Sequence, residues 1–136
     1  MALQDATQQS WNTINGWTSV TTYAGTTLKQ LPDDAARGSL TSYTTLGSTT
    51  VSNWCVAQKS DYEAIFTNLG STTGDPKSFD NNVNAYITTG VGGTAMSSYY
   101  WSASEDEDGW GWQFWDPYWN GGNKATSNRL RPVLGF

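Results

Sequence analysis

The sequence predicts an α+β fold, because helical patterns come first along the chain and strand patterns follow. In the first two thirds, apolar residues recur at helical spacing, and further on they alternate as in strands. A glycine cluster, Gly90, Gly92 and Gly93, separates the two parts. The length of 136 residues fits one domain, so we treat residues 1–136 as a single unit.

The first predicted helix spans residues 19–31. Val20, Ala24 and Leu31 fall on one helical stripe, and Pro32 would end it. The many threonines of this segment oppose a helix, because β-branched side chains lose rotamer freedom there. We give the apolar stripe more weight than the threonines and expect a helix that stops before the proline.

The strongest helical pattern covers residues 60–69. Ser60 and Glu63 have the S-x-x-E spacing of a capping box, and Gly70 suits the left-handed residue that ends a helix. Apolar residues repeat between them at positions i, i+3, i+4 and i+7, namely Tyr62, Ile65, Phe66 and Leu69. A shorter helix is expected over residues 78–88, with four apolar side chains on one side: Phe79, Val83, Tyr86 and Ile87.

Strand patterns follow the glycine cluster. One strand is expected to begin at residues 99–101, and another covers residues 110–116. Alternation in the second strand places Trp110, Trp112 and Phe114 on one face and Gly111, Gln113 and Trp115 on the other. We assign Trp112 and Phe114 to the core and Trp110 to its rim.

The C-terminal residues predict a turn and a last strand. Residues 120–123, Asn-Gly-Gly-Asn, are typical of a turn. Residues 128–136 predict a final strand in which Leu130 points inward. Pro132 marks an edge or a bulge of that strand, because proline has no N–H to donate.

The composition excludes several kinds of function. The chain has no histidine and one cysteine, Cys55, so it has no imidazole base, no intrachain disulfide and no cysteine-rich metal site. A net charge of −5 argues against nucleic acid as a partner. No run of about 18 apolar residues could span a membrane, and no signal peptide is visible. The low charged fraction of 14%, with many Thr, Ser and Asn, is typical of an exported or virion-borne domain.

The acidic residues give only weak support for catalysis or metal binding. Residues 105–108, Glu-Asp-Glu-Asp, are expected to form a solvated loop tip, although with Asp116 they could supply the paired carboxylates of a glycoside hydrolase. The same cluster followed by Gly109 has hard oxygen ligands for calcium but lacks the rest of a twelve-residue calcium loop. We therefore expect a protein that is not an enzyme and that holds no metal ion or other cofactor.

Aromatic residues are concentrated near the C-terminal end, where nine of the 21 residues from Tyr99 to Trp119 are aromatic. One small sheet cannot bury them all. Trp115, Tyr118 and Trp119 are expected on the face opposite the core, or in the turn around Pro117. Exposed Trp and Tyr side chains mark recognition surfaces. This pattern predicts a binding surface, with the alternative that these rings pack under loops.

Several C-terminal segments resemble a known bacterial and phage pattern. They are Tyr100-Trp101-Ser102-Ala103-Ser104-Glu105, Gly111-Trp112, Phe114, Lys124 and Arg129-Leu130-Arg131-Pro132-Val133. The pattern is similar to that of C-type-lectin-like domains of the formylglycine-generating-enzyme-like group and of paralogous surface domains. It also resembles the variable proteins of diversity-generating retroelements, including phage tropism determinants. The resemblance covers about residues 50–136.

The resemblance implies a C-type-lectin fold, with two main helices packed on small antiparallel sheets and a variable-type region at about 99–136. It implies a non-enzymatic domain, on a phage virion or a bacterial surface, that binds a protein or glycan receptor. The implied scaffold positions are Trp101, Glu105, Trp112, Arg129, Arg131 and Pro132. The implied ligand-binding positions are Asp106, Asp108, Trp110, Trp115, Asp116, Tyr118, Trp119, Asn120 and Asn123.

Two departures from the family pattern narrow this expectation. Residues 116–118 (Asp-Pro-Tyr) and 119–121 (Trp-Asn-Gly) do not match the motifs of calcium-dependent sugar lectins. The usual diversified codons cannot yield tryptophan, so either Trp110, Trp115 and Trp119 are fixed in the template or the domain is not diversified at all. The alternative function is that of a structural surface, pilus or phage-tail component whose aromatic residues mediate assembly.

Overall fold

A five-stranded mixed sheet dominates the part of the chain that the computed structural model describes, which is residues 1, 5–14, 29–30, 45–46, 49–50, 54–115 and 118–134. The described strands are β1 (Ala6–Ser10), β2 (Lys29–Gln30), β3 (Thr45–Leu46), β4 (Thr49–Thr50), β5 (Trp54–Val56), β6 (Tyr100–Glu107), β7 (Trp110–Trp115), β8 (Tyr118–Asn123), β9 (Ser127–Leu130) and β10 (Val133–Leu134). The described helices are α1 (Trp11–Ile14), α2 (Lys59–Asn68) and α3 (Pro76–Ser78), and α3 continues as two π-helical segments, Phe79–Asn84 and Tyr86–Gly90.

The main sheet has the strand order β1-β9-β6-β7-β8. Strand β9 runs parallel to β6, and the other neighbours are antiparallel. A smaller sheet has the order β10-β5-β2, and β3 pairs with β4. The β6–β7 hairpin turns at Asp108 and Gly109, where Gly109 has a φ of 80°, a left-handed conformation that glycine adopts without strain.

The predicted α+β fold with two main helices is wrong, and the C-type-lectin architecture that the resemblance implied is corrected with it. The longest α-helix in the described part has ten residues, and the main sheet outweighs it. Sheet prevails because distant segments pair: β1, near the start of the chain, pairs with β9, near its end. Of the helix predicted over residues 19–31, residues 29–30 form β2, and the rest lies outside the described residues.

Helix α2 confirms the strongest helical pattern, but its start differs from the prediction. The capping box of Ser60 and Glu63 is wrong, because the helix begins at Lys59 and Asp61 Oδ2 accepts a hydrogen bond of 3.2 Å from the backbone N–H of Gln58. Glu63 instead lies 3.7 Å from Lys59 Nζ. The predicted apolar stripe packs on the core, with Tyr62 and Phe66 buried and Ile65 and Leu69 half-buried.

The predicted helix over residues 78–88 is present as π-helical turns that follow α3. The carboxylate of Asp75 caps α3 by accepting hydrogen bonds from two backbone N–H groups. Phe79, Val83 and Ile87 are buried as predicted, whereas Tyr86 is 52% exposed. The wider i→i+5 turn of a π-helix aligns residues four apart, which leaves Tyr86 off the buried line.

The core lies between the main sheet and α2. Phe114, which is buried as predicted, has its ring centroid 5.5 Å from that of Tyr62, 5.2 Å from Phe66 and 5.2 Å from Tyr100. Ring pairs at such distances contribute roughly 0.5–1.5 kcal/mol each beyond the area that they bury. The core assignment of Trp112 is wrong, because this side chain is only half-buried.

Two expectations for the C-terminal strands are also corrected. Residues 120–123 do not form a turn, because they belong to β8 and pair with β7. The strand predicted over residues 128–136 is divided into β9 and β10 by Arg131 and Pro132, and β10 joins the smaller sheet. Leu130 is fully buried, as predicted.

Candidate ligand-binding site

The predicted site residues lie on both faces of the β7–β8 hairpin, because side chains alternate between the faces of a sheet. The helix face packs against α2 and carries Trp110, Trp112, Phe114, Trp119, Gly121 and Asn123. The Trp11 face packs against α1 and carries Gly111, Gln113, Trp115, Tyr118, Asn120 and Gly122. The structure therefore brings the predicted residues together on two surfaces rather than on one.

Three exposed rings meet at one end of the Trp11 face. Trp115 and Tyr118 are directly opposite each other in the pairing of β7 with β8, and they are 50% and 51% exposed. The ring of Tyr99, which is 38% exposed, lies 5.6 Å from that of Trp115 between centroids. We call these three residues the aromatic patch. Its two strand residues confirm the prediction that Trp115 and Tyr118 lie opposite Phe114.

The other end of the Trp11 face is closed by two buried indoles. A β-carbon on Gly111 would lie 2.6 Å from Trp11 Cδ1, and one on Gly122 would lie 2.7 Å from the Trp101 ring. These glycines are paired with each other, so the two rings occupy the space that their side chains would fill. Trp11 Nε1 donates to the carbonyl of Ser102 at 3.0 Å, which fixes its ring. The aromatic patch is thus the exposed end of a face whose other end is tightly packed.

On the helix face, Trp119 packs on the core instead of facing outward. Its ring centroid lies 5.1 Å from that of Phe114 and 6.4 Å from that of Tyr62. The expectation that Trp119 lies opposite Phe114 is therefore wrong, because Trp119 is paired with Phe114 between β8 and β7, and directly paired residues share a face. Trp112 is its neighbour on this face, and the ammonium of Lys59 lies 4.1 Å from the centroid of the Trp112 ring.

Asp106 and Trp110 form a second partly exposed surface on the helix face. Trp110 is 43% exposed, and Asp106 is half-buried. A β-carbon on Gly121 would contact both Asp106 Oδ2 and the Trp110 ring, so this glycine lets them lie across β8. These two residues are separated from the aromatic patch by the thickness of the sheet.

The remaining predicted residues are dispersed. Asp108 is exposed in the β6–β7 turn, and Asn120 is exposed on the Trp11 face, two residues from Tyr118. Asn123 is exposed, and its Oδ1 accepts a hydrogen bond of 2.9 Å from the backbone N–H of Ala125, so it supports the next turn. Asp116 lies outside the described residues.

Glu105 is unsuited to the role of an accessible catalytic carboxylate. Its side chain is fully buried, and its Oε1 accepts a hydrogen bond of 3.0 Å from Lys124 Nζ, which is also fully buried. Lys124 Nζ in turn lies 4.6 Å from the centroid of the Trp11 ring. The pair therefore joins β6 to the end of β8 inside the molecule. Within the described residues, no three His, Cys, Asp or Glu side chains come together as ligands for a metal ion.

Several scaffold positions that the resemblance implied are internal. Trp101 is fully buried and donates its Nε1–H to the carbonyls of Gln9 and Thr126. Arg131 is fully buried, with its Nη2 2.8 Å from Asp5 Oδ1. These contacts tie the N-terminal residues Asp5 and Gln9 to the C-terminal strands.

Two residues of these surfaces, Tyr99 and Lys59, were not among the site residues predicted from the sequence. Tyr99 precedes a strand whose next two residues, one on each face, are both buried, so strand alternation gave no sign of its exposure. Lys59 lies 53 positions before Trp112, and no local pattern connects them. The Asp108-Gly109 pair is a recognised hairpin signal, and it could have shortened the predicted acidic loop to a two-residue turn.

Comparison with family models, with curated proteins and with solved structures finds no significant match to this chain. In the part of the chain that the structure describes, no helix has the length and apolar character needed to cross a bilayer.

Proposed function

We propose that this protein is a non-enzymatic ligand-binding domain and that the aromatic patch is the centre of its binding surface. One observation carries the proposal: Tyr99, Trp115 and Tyr118 are large, contiguous and exposed, although the core nearby is filled with other rings. Monomeric domains seldom leave such a group of apolar rings in water without a use for it.

The chemistry of the patch suits a protein or glycan receptor. Trp and Tyr rings supply a large contact area and lose little conformational entropy on binding, because they have few rotatable bonds. Asn120, exposed beside Tyr118, adds an amide that both donates and accepts hydrogen bonds. The rigid packing of Trp11 and Trp101 under the same face lowers the cost of ordering the surface.

The pairing of Trp115 with Tyr118 provides the direct test. Labelled wild-type protein is applied to a glycan array and to intact cells of a panel of bacteria, and each bound surface is tested again with a Trp115→Ala, Tyr118→Ala double variant. We expect binding to fall by more than tenfold, as for the loss of a central aromatic anchor. The matched control is Tyr86→Ala, which removes an equally exposed ring on the π-helical segment Tyr86–Gly90, outside the patch. A folded double variant that binds as the wild type does would contradict the proposal.

Assembly is the second candidate function, because the patch lies next to β8, which is at one end of the strand order of the main sheet. An apolar patch beside an edge strand also suits contact between copies of the chain. Sedimentation analysis separates the two functions. A monomer favours ligand binding, and a stable oligomer that the double variant disrupts favours assembly.

We further propose that the variable-protein resemblance reflects a binding face that changes between relatives. This proposal rests on the similarity of the residue pattern and not on the fold. It is supported by the separation between exposed residues such as Trp115 and buried ones such as Trp101 in the same region. A near-repeat of the last hundred or so bases beside a reverse-transcriptase gene would support it, and a genome without either would contradict it.

A further inference from the structure

Lys59 places its ammonium in a partly open box of two indole rings and a carboxylate. Its Nζ lies 4.1 Å from the ring centroid of Trp112, 5.7 Å from that of Trp119 and 3.7 Å from Glu63 Oε1. All three contacts are within the range of favourable cation–π and charge pairing. The chain itself therefore shows which chemical group this box accepts.

On the side of Trp112 and Glu63, the box opens into a groove of about 280 Å³ between the start of α2 and strands β6 and β7. The other walls are polar, with Gln58, Ser60 and Ser104 among the lining residues. This volume is slightly below the roughly 300–1,000 Å³ of sites for drug-sized ligands, so it suits a single head group. The side chain of Lys59 is 30% exposed and that of Glu63 is 40% exposed, so a ligand can reach both from solvent.

The register of the hairpin explains why the two rings are available. Trp112 is paired with Gly121, so β8 places no side chain of its own opposite the Trp112 ring, and the carboxylate of Asp106 lies beside that glycine. Trp119 is two residues from Gly121 and lies on the same face. The net charge of −5, with Glu63 at the box itself, favours a cationic ligand over an anionic one.

We propose that this box is a binding site for an alkylammonium group, such as the head group of choline, and that Lys59 occupies the site until a ligand displaces it. The site is independent of the aromatic patch, which lies on the other face of the sheet. Because a ligand must first displace Lys59, the apparent affinity of the site for that ligand is lower than its intrinsic affinity. From the usual strength of a cation–π contact, we expect the occupant to weaken binding by about 3- to 30-fold.

The experiment is a choline titration followed by indole N–H signals in NMR spectra. We compare the wild type, Lys59→Ala and Lys77→Ala, a matched control that removes the same charge from exposed α3. We expect Lys59→Ala to bind choline about 3- to 30-fold more tightly than the wild type and the control. In the Lys59→Ala background, a further Trp112→Ala change should abolish the gain, and Glu63→Gln should reduce it.

A neutral isostere of choline, 3,3-dimethylbutanol, separates ammonium recognition from simple apolar binding. We expect it to bind Lys59→Ala at least tenfold more weakly than choline does. The proposal is overturned if choline binds the wild type and Lys59→Ala equally, or if the isostere matches choline. If Trp112→Ala prevents folding, the change of the partly exposed Glu63 to Gln in the Lys59→Ala background decides the question, and an unchanged choline affinity there overturns the proposal.

Discussion

Replacing Gly111 with alanine tests the packing that holds the β7–β8 hairpin in place. The φ of Gly111 is not in the left-handed region, so the backbone itself accepts alanine. The obstacle is the buried ring of Trp11, because the new β-carbon would lie 2.6 Å from its Cδ1, against about 3.4 Å for an ordinary contact. The ring, the strand or both must therefore move by about 0.8 Å.

The expected loss of stability follows from how firmly the ring is held. Trp11 is 1% exposed, and its Nε1 donates to the carbonyl of Ser102 at 3.0 Å. Overpacking of such a site costs about 1–3 kcal/mol. Alanine also lowers the conformational entropy of the unfolded chain, which offsets about 0.4–1 kcal/mol of this loss of stability. The midpoints of these two ranges leave a net loss of about 1.3 kcal/mol in the free energy of unfolding, which lowers the melting temperature of a domain of this size by about 4–7 °C.

Thermal unfolding followed by circular dichroism measures this loss. The control is Gly90→Ala, whose β-carbon would lie 3.3 Å from the ring of Tyr86, a side chain that is 52% exposed and can move away. We expect the control to be as stable as the wild type or slightly more stable. A smaller residue at position 11, as in Trp11→Leu, should make the Gly111→Ala change nearly neutral. Equal melting temperatures for Gly111→Ala and the wild type would refute the packing argument.

Three further predictions concern buried polar groups. Burial raises the pKa of Tyr62 well above that of an exposed tyrosine, so the unfolded chain loses this proton first and stability falls above about pH 10, by up to about 1.4 kcal/mol per pH unit. Between pH 8 and 11, the urea concentration at the unfolding midpoint should fall less steeply for Tyr62→Phe than for the wild type. The variant is less stable at pH 8, because it lacks the 2.6 Å hydrogen bond from the Tyr62 hydroxyl to the carbonyl of Arg131. Equal slopes for the two proteins would contradict the raised pKa of Tyr62. Burial also raises the pKa of the Cys55 thiol, so Ellman's reagent should modify it only as fast as the protein opens, and labelling at the rate seen in urea would contradict this. Asp5→Ala removes a carboxylate that contacts Arg129 at 3.1 Å and the buried Arg131 at 2.8 Å. We expect the free energy of unfolding, measured in urea, to fall by about 3–5 kcal/mol. A fall below about 1 kcal/mol would show that the two contacts contribute little to stability.

Local patterns predicted local structure well. The apolar stripe of Tyr62, Phe66 and their neighbours found α2, because the spacing along one helix decides which side is buried. The alternation in β7 found the burial of Phe114 and the exposure of Trp115 for the same reason. Where one element alone decides the outcome, its residues were sufficient to predict it.

Predictions failed where the cause lies far along the chain. Residues 120–123 have the composition of a turn, but Gly122 lies in the strand because the buried ring of Trp101 fills its side-chain space. Trp119 was assigned to the wrong face because the register of β8 against β7, not the alternation within one strand, sets its direction. The pairing of β1 with β9, which favours sheet over helix, joins segments about 120 residues apart.

The β7–β8 hairpin separates residues that can change from residues that cannot. At its centre Gly111 and Gly122 must stay small, since buried indoles occupy the space beside them. At its turn end Trp115 and Tyr118 are half-exposed, and substitutions of such residues usually alter stability by only about 0.5 kcal/mol. A binding surface can acquire new specificity without unfolding only if its contact residues belong to the second group. The aromatic patch meets this condition and the packed Trp119 does not, which supports our proposal that the aromatic patch is the centre of recognition.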